Sequence, residues 1–185
     1  MRLFSLILTL ALFAITRQLA AQEENTDLAA SARLIAQKSL IVDTHIDVPE
    51  RLHGGWVDVT VATADGNFDY ERAKRGGLDV LFMSIYTASA LEATGGSFQL
   101  ANELIDSSEA LVGRAPDKFM LVHNTADAEK ARQTGLIGLA LGMENGSPIE
   151  GKLENVQFFY KRGIRYITLA HALSNHISDS SYDSN

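Results

Sequence analysis

The feature that most constrains the fold is a repeated alternation of short, continuously apolar runs with amphipathic segments. The runs predict five strands, at residues 40–42, 78–86, 119–122, 136–141 and 164–169. The amphipathic segments predict helices over 27–38, 97–113, 125–135 and 152–162, whereas residues 48–68 are irregular and predict a long loop. Strands that are apolar on both faces are typical of a parallel sheet covered by helices. The sequence therefore predicts an α/β fold, either a doubly wound sheet or a β/α barrel.

Charge and composition exclude several classes of function. The 185 residues carry a formal net charge of −7, which argues against a nucleic-acid partner. The chain has no cysteine, which excludes disulfides and thiolate metal sites. Any metal ion must therefore be held by histidine, aspartate and glutamate.

The first residues have the pattern of an export signal. Arg2 precedes an apolar stretch over 3–15, and Ala20 and Ala21 precede a polar segment. This pattern predicts a cleaved signal peptide over 1–21, with residues 22–185 as the exported domain, periplasmic or extracellular. The apolar stretch is too short for a stable membrane span, and Arg17 interrupts it. An uncleaved N-terminal anchor is the alternative.

Polar residues with metal-ligand chemistry stand at the ends of the predicted strands. His45 and Asp47 follow the first strand, Glu144 follows the fourth, and His171 follows the fifth. Because the carboxyl ends of parallel strands lie on one rim, these residues are expected to converge, and that rim carries the active sites of α/β barrels.

Each of these residues also has a structural alternative. In an extended segment His45 and Asp47 point to the same side and could bind one ion, but Asp47 could instead cap a helix. Glu144 ends an apolar strand and must be compensated, by a metal or by neighbouring amides. His171 either contacts substrate or metal or is an ordinary rim histidine. His53 and His176 are interpreted as surface residues, His123 as structural, and Trp56 as a candidate pocket residue.

Four segments together resemble a known family. They cover residues 41–49, with His45 and Asp47; 75–86, the second strand; 142–148, with Glu144; and 159–171, ending at His171. They are similar, in order and spacing, to segments of the renal (membrane) dipeptidase family, peptidase family M19. One departure is Asn145, where many relatives have glycine.

The resemblance implies a metal-dependent-hydrolase (β/α)8 barrel, present here only as its N-terminal portion of about five strands. It implies two zinc ions, with His45 and Asp47 on the first ion, Glu144 bridging both as a metal-binding and catalytic residue, and His171 binding the substrate. In the family the second zinc is held mainly by histidines on later strands.

The implied function is zinc-dependent hydrolysis of dipeptides by a metal-activated water, with no covalent intermediate. The expected partner is a dipeptide substrate, and a homodimer stays open. Two alternatives remain: a catalytically inactive fragment, which the incomplete set of strands favours, and a non-catalytic exported binding domain with the same fold.

Overall fold

The computed structural model describes residue 17 and residues 27–183 of the chain. The signal peptide predicted over 1–21 lies outside the described residues, apart from Arg17. The chain divides into two compact units, and the second begins at Leu40. In the first unit, residues 27–38 are helical (α1), as predicted. No helix within the described residues is long and apolar enough to cross a membrane.

The second unit contains a parallel sheet of five strands. They are β1 (Val42–Ile46), β2 (Val80–Tyr86), β3 (Phe119–Leu121), β4 (Ile137–Glu144) and β5 (Ile164–Ile167). β1 pairs with β2, and β2 pairs with β4 along its whole length. The other edge of β4 is shared, since β3 pairs with its first half and β5 with its second. All of these pairings are parallel, as the apolar runs predicted.

In the described part of the second unit, six helices and one short 3-10 helix accompany the sheet. They are α2 (Val48–Gly54), α3 (Tyr70–Gly76), α4 (Leu91–Thr94), α5 (Ser97–Arg114), α6 (Thr125–Thr134), α7 (Leu153–Lys161) and the 3-10 helix Ser147–Ile149. The predicted helices at α5, α6 and α7 are confirmed to within a few residues. The loop predicted over 48–68 is wrong in its first third, where α2 forms. Pro49 stands in the first turn of α2, where its missing N–H costs nothing, and Val48 and Leu52 are buried.

The first strand also differs from the prediction. The apolar run at 40–42 predicted a buried strand, but β1 begins at Val42 and continues through the polar residues up to Ile46. Four of its five residues are exposed. The physical reason is position, because β1 is an edge strand that pairs only with β2 among the described residues. His45 therefore lies within the strand, and Asp47 is the residue that follows it.

The two faces of the sheet are covered differently. Alternate residues of β2 and β4, such as Leu81, Met83 and Leu141, join the main core with residues of α5 and α7. The opposite face carries a smaller apolar cluster of Val80, Val122 and Ala140. At the carboxyl ends of β2 and β4, the same alternation places three polar residues on that second face: Ser84, Tyr86 and Glu144.

The placement of α6 follows from the strand order. In the sheet, β4 lies between β2 and β3. The connection from β2 to β3 therefore crosses over β4, and the connection from β3 to β4 runs back in the opposite direction. Parallel crossovers are right-handed, so reversing the direction puts the two connecting helices on opposite faces. α5 accordingly packs in the main core, whereas Ala131 of α6 stands 3.3 Å from where a Cβ on Gly138 would lie, on the opposite face.

Candidate metal centre

Three of the residues singled out in the sequence converge at the carboxyl edge of the sheet. Glu144 is the last residue of β4 and lies in register with Tyr86, the last residue of β2. His45 lies in β1, and Asp47 follows that strand directly. One ligand atom from each of His45, Asp47 and Glu144 lies within 4.8 Å of the others. The convergence expected from the strand ends is therefore present.

The spacing of the ligand atoms matches the needs of a small cation. His45 Nε2 lies 3.2 Å from Asp47 Oδ1 and 3.2 Å from Glu144 Oε2. Zinc binds nitrogen and oxygen ligands at about 2.0–2.2 Å, so two ligands of a tetrahedral ion are separated by roughly 3.4 Å. One imidazole and two carboxylates form a donor set that zinc accepts. The residues present therefore fit a divalent cation.

Asp47 does not act as a helix cap through its side chain. It occupies the residue before α2, yet its carboxylate makes no capping hydrogen bond to that helix. Instead Oδ1 faces His45 Nε2. The carboxylate remains 60% exposed, so an approaching ion could reach it. The capping alternative for this residue is therefore not what the structure shows.

Glu144 is the most enclosed member of the group. Only 15% of its side chain is exposed, and it has three polar neighbours. Ser84 Oγ donates to Oε2 at 2.8 Å, His45 Nε2 faces the same oxygen, and His171 Nε2 lies 3.1 Å from Oε1. Each carboxylate oxygen thus has an imidazole beside it. Glu144 sits between the two histidines, which is where a shared ligand would stand.

His171 reaches the site from beyond β5. β5 ends at Ile167, so His171 belongs to the turn-rich segment that follows, not to the strand end itself. The ring of Tyr86 packs edge-on against the imidazole, with centroids 5.2 Å apart. Nδ1 of His171 is buried without a hydrogen-bond partner in the part of the chain that is described.

The second nitrogen of His45 meets a tyrosine. Tyr166 Oη lies 3.2 Å from His45 Nδ1 and donates to the carbonyl oxygen of Thr44 at 3.2 Å. Tyr166 lies on β5 and His45 on β1, which are separated by three strand spacings, about 14 Å in a flat sheet. The sheet must therefore curl strongly toward this face for the two side chains to meet.

Two phenols beside the carboxylates keep their protons. Burial, together with the negative charges of Glu50 and Glu144, raises the pKa of Tyr86. Burial, with the charges of Glu144 and Asp47, also raises the pKa of Tyr166. Both hydroxyls are therefore hydrogen-bond donors across the whole neutral range.

The remaining histidines and Trp56 lie apart from this group. His53 lies 3.9 Å from Glu103, and His176 Nδ1 contacts Glu92 Oε1 at 2.9 Å. The backbone of His123 accepts a hydrogen bond from Arg165. Trp56 is half-exposed beneath the guanidinium of Arg114. These positions agree with a structural or surface interpretation, and Trp56 lines none of the site.

Sequence reasoning did not single out Ser84, Tyr86 and Tyr166 as site residues. Ser84 was detectable, because it is a polar residue inside an apolar run, two positions before the strand end. The structure buries it completely. Tyr86 was noted only as a strand end. Tyr166 gave no such signal, because its place in the site depends on the curl of the sheet.

The fold and this cluster together define a class: α/β proteins with a candidate metal site of imidazoles and carboxylates at the carboxyl rim of a parallel sheet. The membrane dipeptidase family, peptidase family M19, matches residues 29–185, and the chain belongs to that family.

Individual relatives agree with this assignment. The chain is 27% identical to the dipeptidase ataJ of Aspergillus terreus, over 85% of this chain and 43% of that protein. It is 25% identical to the dipeptidase verJ of Clonostachys rogersoniana, over 85% of this chain and 44% of that protein. The chain thus spans less than half the length of these curated relatives.

Solved structures share the fold. The probable dipeptidase PvdM of Pseudomonas aeruginosa superposes with a TM-score of 0.70 at 16% identity, over 84% of this chain and 40% of that one. A metallopeptidase of Rhodobacter sphaeroides, solved with a phosphinate mimic of the dipeptide L-Ala-D-Ala, gives 0.63 at 18% identity, over 74% and 46%. The predicted fold class, an α/β sheet of the metal-dependent-hydrolase (β/α)8 barrel type, is confirmed, with five strands present.

Proposed function

We propose that the protein is a zinc-dependent dipeptidase whose first metal ion is held by His45, Asp47 and Glu144. The observation that carries this proposal is the convergence of their three ligand atoms within 4.8 Å at the carboxyl rim. Membership of a family of metallopeptidases supports it, since the chemistry of that family requires a metal ion. When bound, the ion would lower the pKa of a water molecule and polarise a peptide carbonyl.

The chain's own residues divide the remaining tasks. Glu144 has one oxygen toward His45 and the other toward His171, so it is suited to bridge two cations. The imidazole of His171, whose Nε2 lies 3.1 Å from Oε1 of Glu144, would bind the carbonyl oxygen of the scissile bond. Ser84 holds Oε2 of Glu144 in place through its 2.8 Å hydrogen bond.

The proposal also covers the substrate, a second metal ion and the compartment in which the protein acts. A dipeptide is the substrate that the family name indicates. The second zinc would share Glu144 with the first ion. The leader pattern over 1–21 supports an exported protein acting in the periplasm or outside the cell.

The decisive experiment measures dipeptide hydrolysis and zinc stoichiometry on the protein as its gene encodes it and on the 185-residue chain. The encoded protein is expected to bind two zinc ions, to hydrolyse dipeptides, and to lose activity when a chelator removes the metal. The 185-residue chain is expected to be inactive. Activity that persists after complete metal removal would contradict the proposal.

Glu144→Gln tests the metal ligand directly. The variant keeps the size of the side chain and its bond to Ser84 but removes the negative charge. Zinc affinity and activity are expected to fall by more than about 100-fold, a loss larger than that of an outer hydrogen-bond partner. Glu154→Gln, on the exposed start of α7, is the matched control and should change neither quantity.

A non-catalytic binding domain is the competing function. It predicts that the encoded protein binds zinc without turning over any dipeptide. Turnover by the wild type that Glu144→Gln abolishes would exclude it.

A further inference from the structure

A small cavity adjoins the candidate metal centre at Tyr86. It has a volume of about 170 Å³ and lies between α2, the end of β2 and α5. Tyr86 lines this cavity, and its ring packs edge-on against the imidazole of His171. The negative charges of both Glu50, in the cavity, and Glu144, in the metal centre, act on its phenol. Tyr86 is therefore the side chain at which the two sites meet.

The walls of the cavity are apolar except on the side of α2. Ala88, Leu100 and Leu104 supply alkyl surface from the segment after β2 and from α5. On α2, Glu50 and His53 stand one helical turn apart, a spacing that places two residues on the same face, and both line the cavity. The cavity thus combines aliphatic walls with one acidic side.

The carboxylate of Glu50 is available to a bound molecule. It is exposed, and it makes no hydrogen bond or ion pair with any described residue. His53 has an acidic neighbour of its own, since its Nε2 lies 3.9 Å from the carboxylate of Glu103. Arg51 follows Glu50 in the chain, but its guanidinium donates to the carbonyl of Asp65 at 2.8 Å. Among the described residues, no lysine or arginine lines the cavity.

These features determine the chemistry of a suitable occupant. An alkyl chain would remove the apolar walls from water, which is favourable in proportion to the area covered. A positive charge at the end of that chain would be attracted to Glu50, and a negative charge would be repelled. Lysine and arginine side chains have both parts, and they bury their methylene groups while the charged end stays near water.

The position of the cavity indicates which residue of a dipeptide would enter it. The scissile carbonyl belongs to the N-terminal residue, and His171 is the proposed contact of its oxygen. Because Tyr86 packs against His171 and also lines the cavity, the side chain next to that carbonyl is the nearer of the two.

We propose that this cavity is a subsite for the side chain of the N-terminal substrate residue, that it favours an aliphatic chain with a positive end, and that Glu50 determines this preference. The cleavage of such a dipeptide rests on the proposed function. The charge preference of the cavity can be measured without turnover, so the two can fail separately.

The test uses the protein as its gene encodes it, loaded with zinc, and compares lysyl-alanine with norleucyl-alanine. Norleucine has the same alkyl chain as lysine but no charge. The ratio of kcat/KM for the two substrates is expected to be about 5 in the wild type, near the upper limit of what an exposed ion pair contributes. Alanyl-lysine and alanyl-norleucine place the same side chains on the other residue, and their kcat/KM values should be equal.

Glu50→Gln should lower the ratio for the N-terminal pair to about 1, and Glu50→Lys should invert it, because the charge that selects lysine is first removed and then reversed. Glu71→Gln, at an exposed glutamate in the first turn of α3, is the matched control and should keep the wild-type ratio. A folding defect would lower both rates together, so a change in the ratio reports the subsite and not the stability of the variant.

A second measurement needs no turnover. Calorimetry gives the affinities of L-lysine and L-norleucine, the amino acids that cleavage of the two substrates would release. The wild type is expected to bind lysine about fivefold more tightly than norleucine, and Glu50→Gln should bind both equally.

Equal kcat/KM for lysyl-alanine and norleucyl-alanine in a wild type that cleaves both would overturn the proposal and leave the proposed function intact. A preference that Glu50→Gln retains, or one confined to the C-terminal residue, would overturn it as well. A wild type that cleaves no dipeptide but prefers lysine through Glu50 would support the subsite and refute the proposed function. If the wild type does neither, both are refuted.

Discussion

At the scale of single residues, Asn145 shows how the chain around Glu144 is held. It is almost completely buried and has a φ of 74°, a conformation that favours glycine. In that position its side chain makes hydrogen bonds to two other segments. Nδ2 donates to the carbonyl of Thr87 at 2.9 Å, and Oδ1 accepts from Asn175 at 2.9 Å. The asparagine thus ties the end of β2 and the C-terminal segment to the residue after Glu144.

Replacing Asn145 separates the backbone conformation from these hydrogen bonds. Asn145→Ala loses the bonds and keeps an unfavourable φ, so the free energy of unfolding is expected to fall by about 3 kcal/mol. Asn145→Gly loses the same bonds but relaxes the backbone, so a fall of about 2 kcal/mol is expected. Urea unfolding measures both. Asn67→Ala, at an exposed asparagine, is the control; a glycine variant less stable than the alanine variant would contradict the argument.

The departure from glycine at this position therefore has a structural account. Asparagine tolerates a positive φ better than most residues. Here it adds contacts that glycine cannot make. The resemblance to the family marked the position as a departure, but only the structure shows which groups Asn145 joins.

At the scale of elements, α3 depends on one buried carboxylate. Asp69 is 1% exposed and caps the helix by accepting from the backbone N–H of Arg72 at 2.8 Å. Its other oxygen accepts from the backbone N–H of Thr63 at 3.0 Å and pairs with the Arg72 guanidinium at 2.9 Å. Burial by itself would raise the pKa of Asp69, but these hydrogen bonds and the charge of Arg72 lower it overall.

The lowered pKa makes the stability of the chain depend on pH with a definite sign. The folded state favours the charged form of Asp69. The stabilisation that this carboxylate provides is therefore complete above the pKa of the unfolded chain, near 4. It is lost as pH falls below that value and through the lower folded pKa. Asp69→Asn is expected to destabilise the protein by about 2 kcal/mol at pH 7.

The measurement is urea unfolding of wild type and Asp69→Asn at pH 7 and at pH 3. The difference between the two proteins should shrink at the lower pH, because the wild-type carboxylate is then partly protonated. Asp65→Asn, at an exposed aspartate in the loop before α3, is the control. A difference that stays constant with pH would show that the charge of Asp69 contributes nothing.

The elements that could be predicted were those with a strong repeating pattern. The stripe over 97–113 and the apolar run ending near Glu144 are long enough to identify α5 and β4. Short helices such as α2 and α4 carry too few turns for a pattern to emerge. β1 was misplaced because an exposed edge strand can be polar, so its apolar residues do not mark its bounds.

Part of the candidate site was also predictable from the sequence. His45, Asp47 and Glu144 could be grouped because parallel strands end on one rim, a rule that needs no coordinates. The contact of Tyr166 with His45 could not, because it crosses three strand spacings and depends on the curl of the sheet. The pairing of β2 with β4, and hence the position of α6, was also beyond local sequence patterns.

At the scale of the whole sheet-containing unit, some apolar surface is uncovered. Leu153, Val156 and Tyr160 recur at helical spacing along α7, but these three are exposed, by 83%, 40% and 56%. The residue of α7 that enters the core is Phe159. At the outer edge of the sheet, Val42 is 41% exposed on β1, which pairs only with β2 within the described part of the chain. Exposed apolar residues and a strand edge are both sites where other chains can pack.

We therefore expect the 185-residue chain to self-associate at micromolar concentration. Leu153→Glu places a charge on the uncovered stripe of α7, and Val42→Lys places one on the strand edge, so each should shift the chain toward monomer in sedimentation velocity. Gln157→Glu adds the same charge as Leu153→Glu at an exposed polar position of the same helix and should have little effect. If Gln157→Glu restores the monomer as well as Leu153→Glu does, net charge and not apolar contact governs association. A wild-type chain that sediments as a monomer would show that this surface does not drive association.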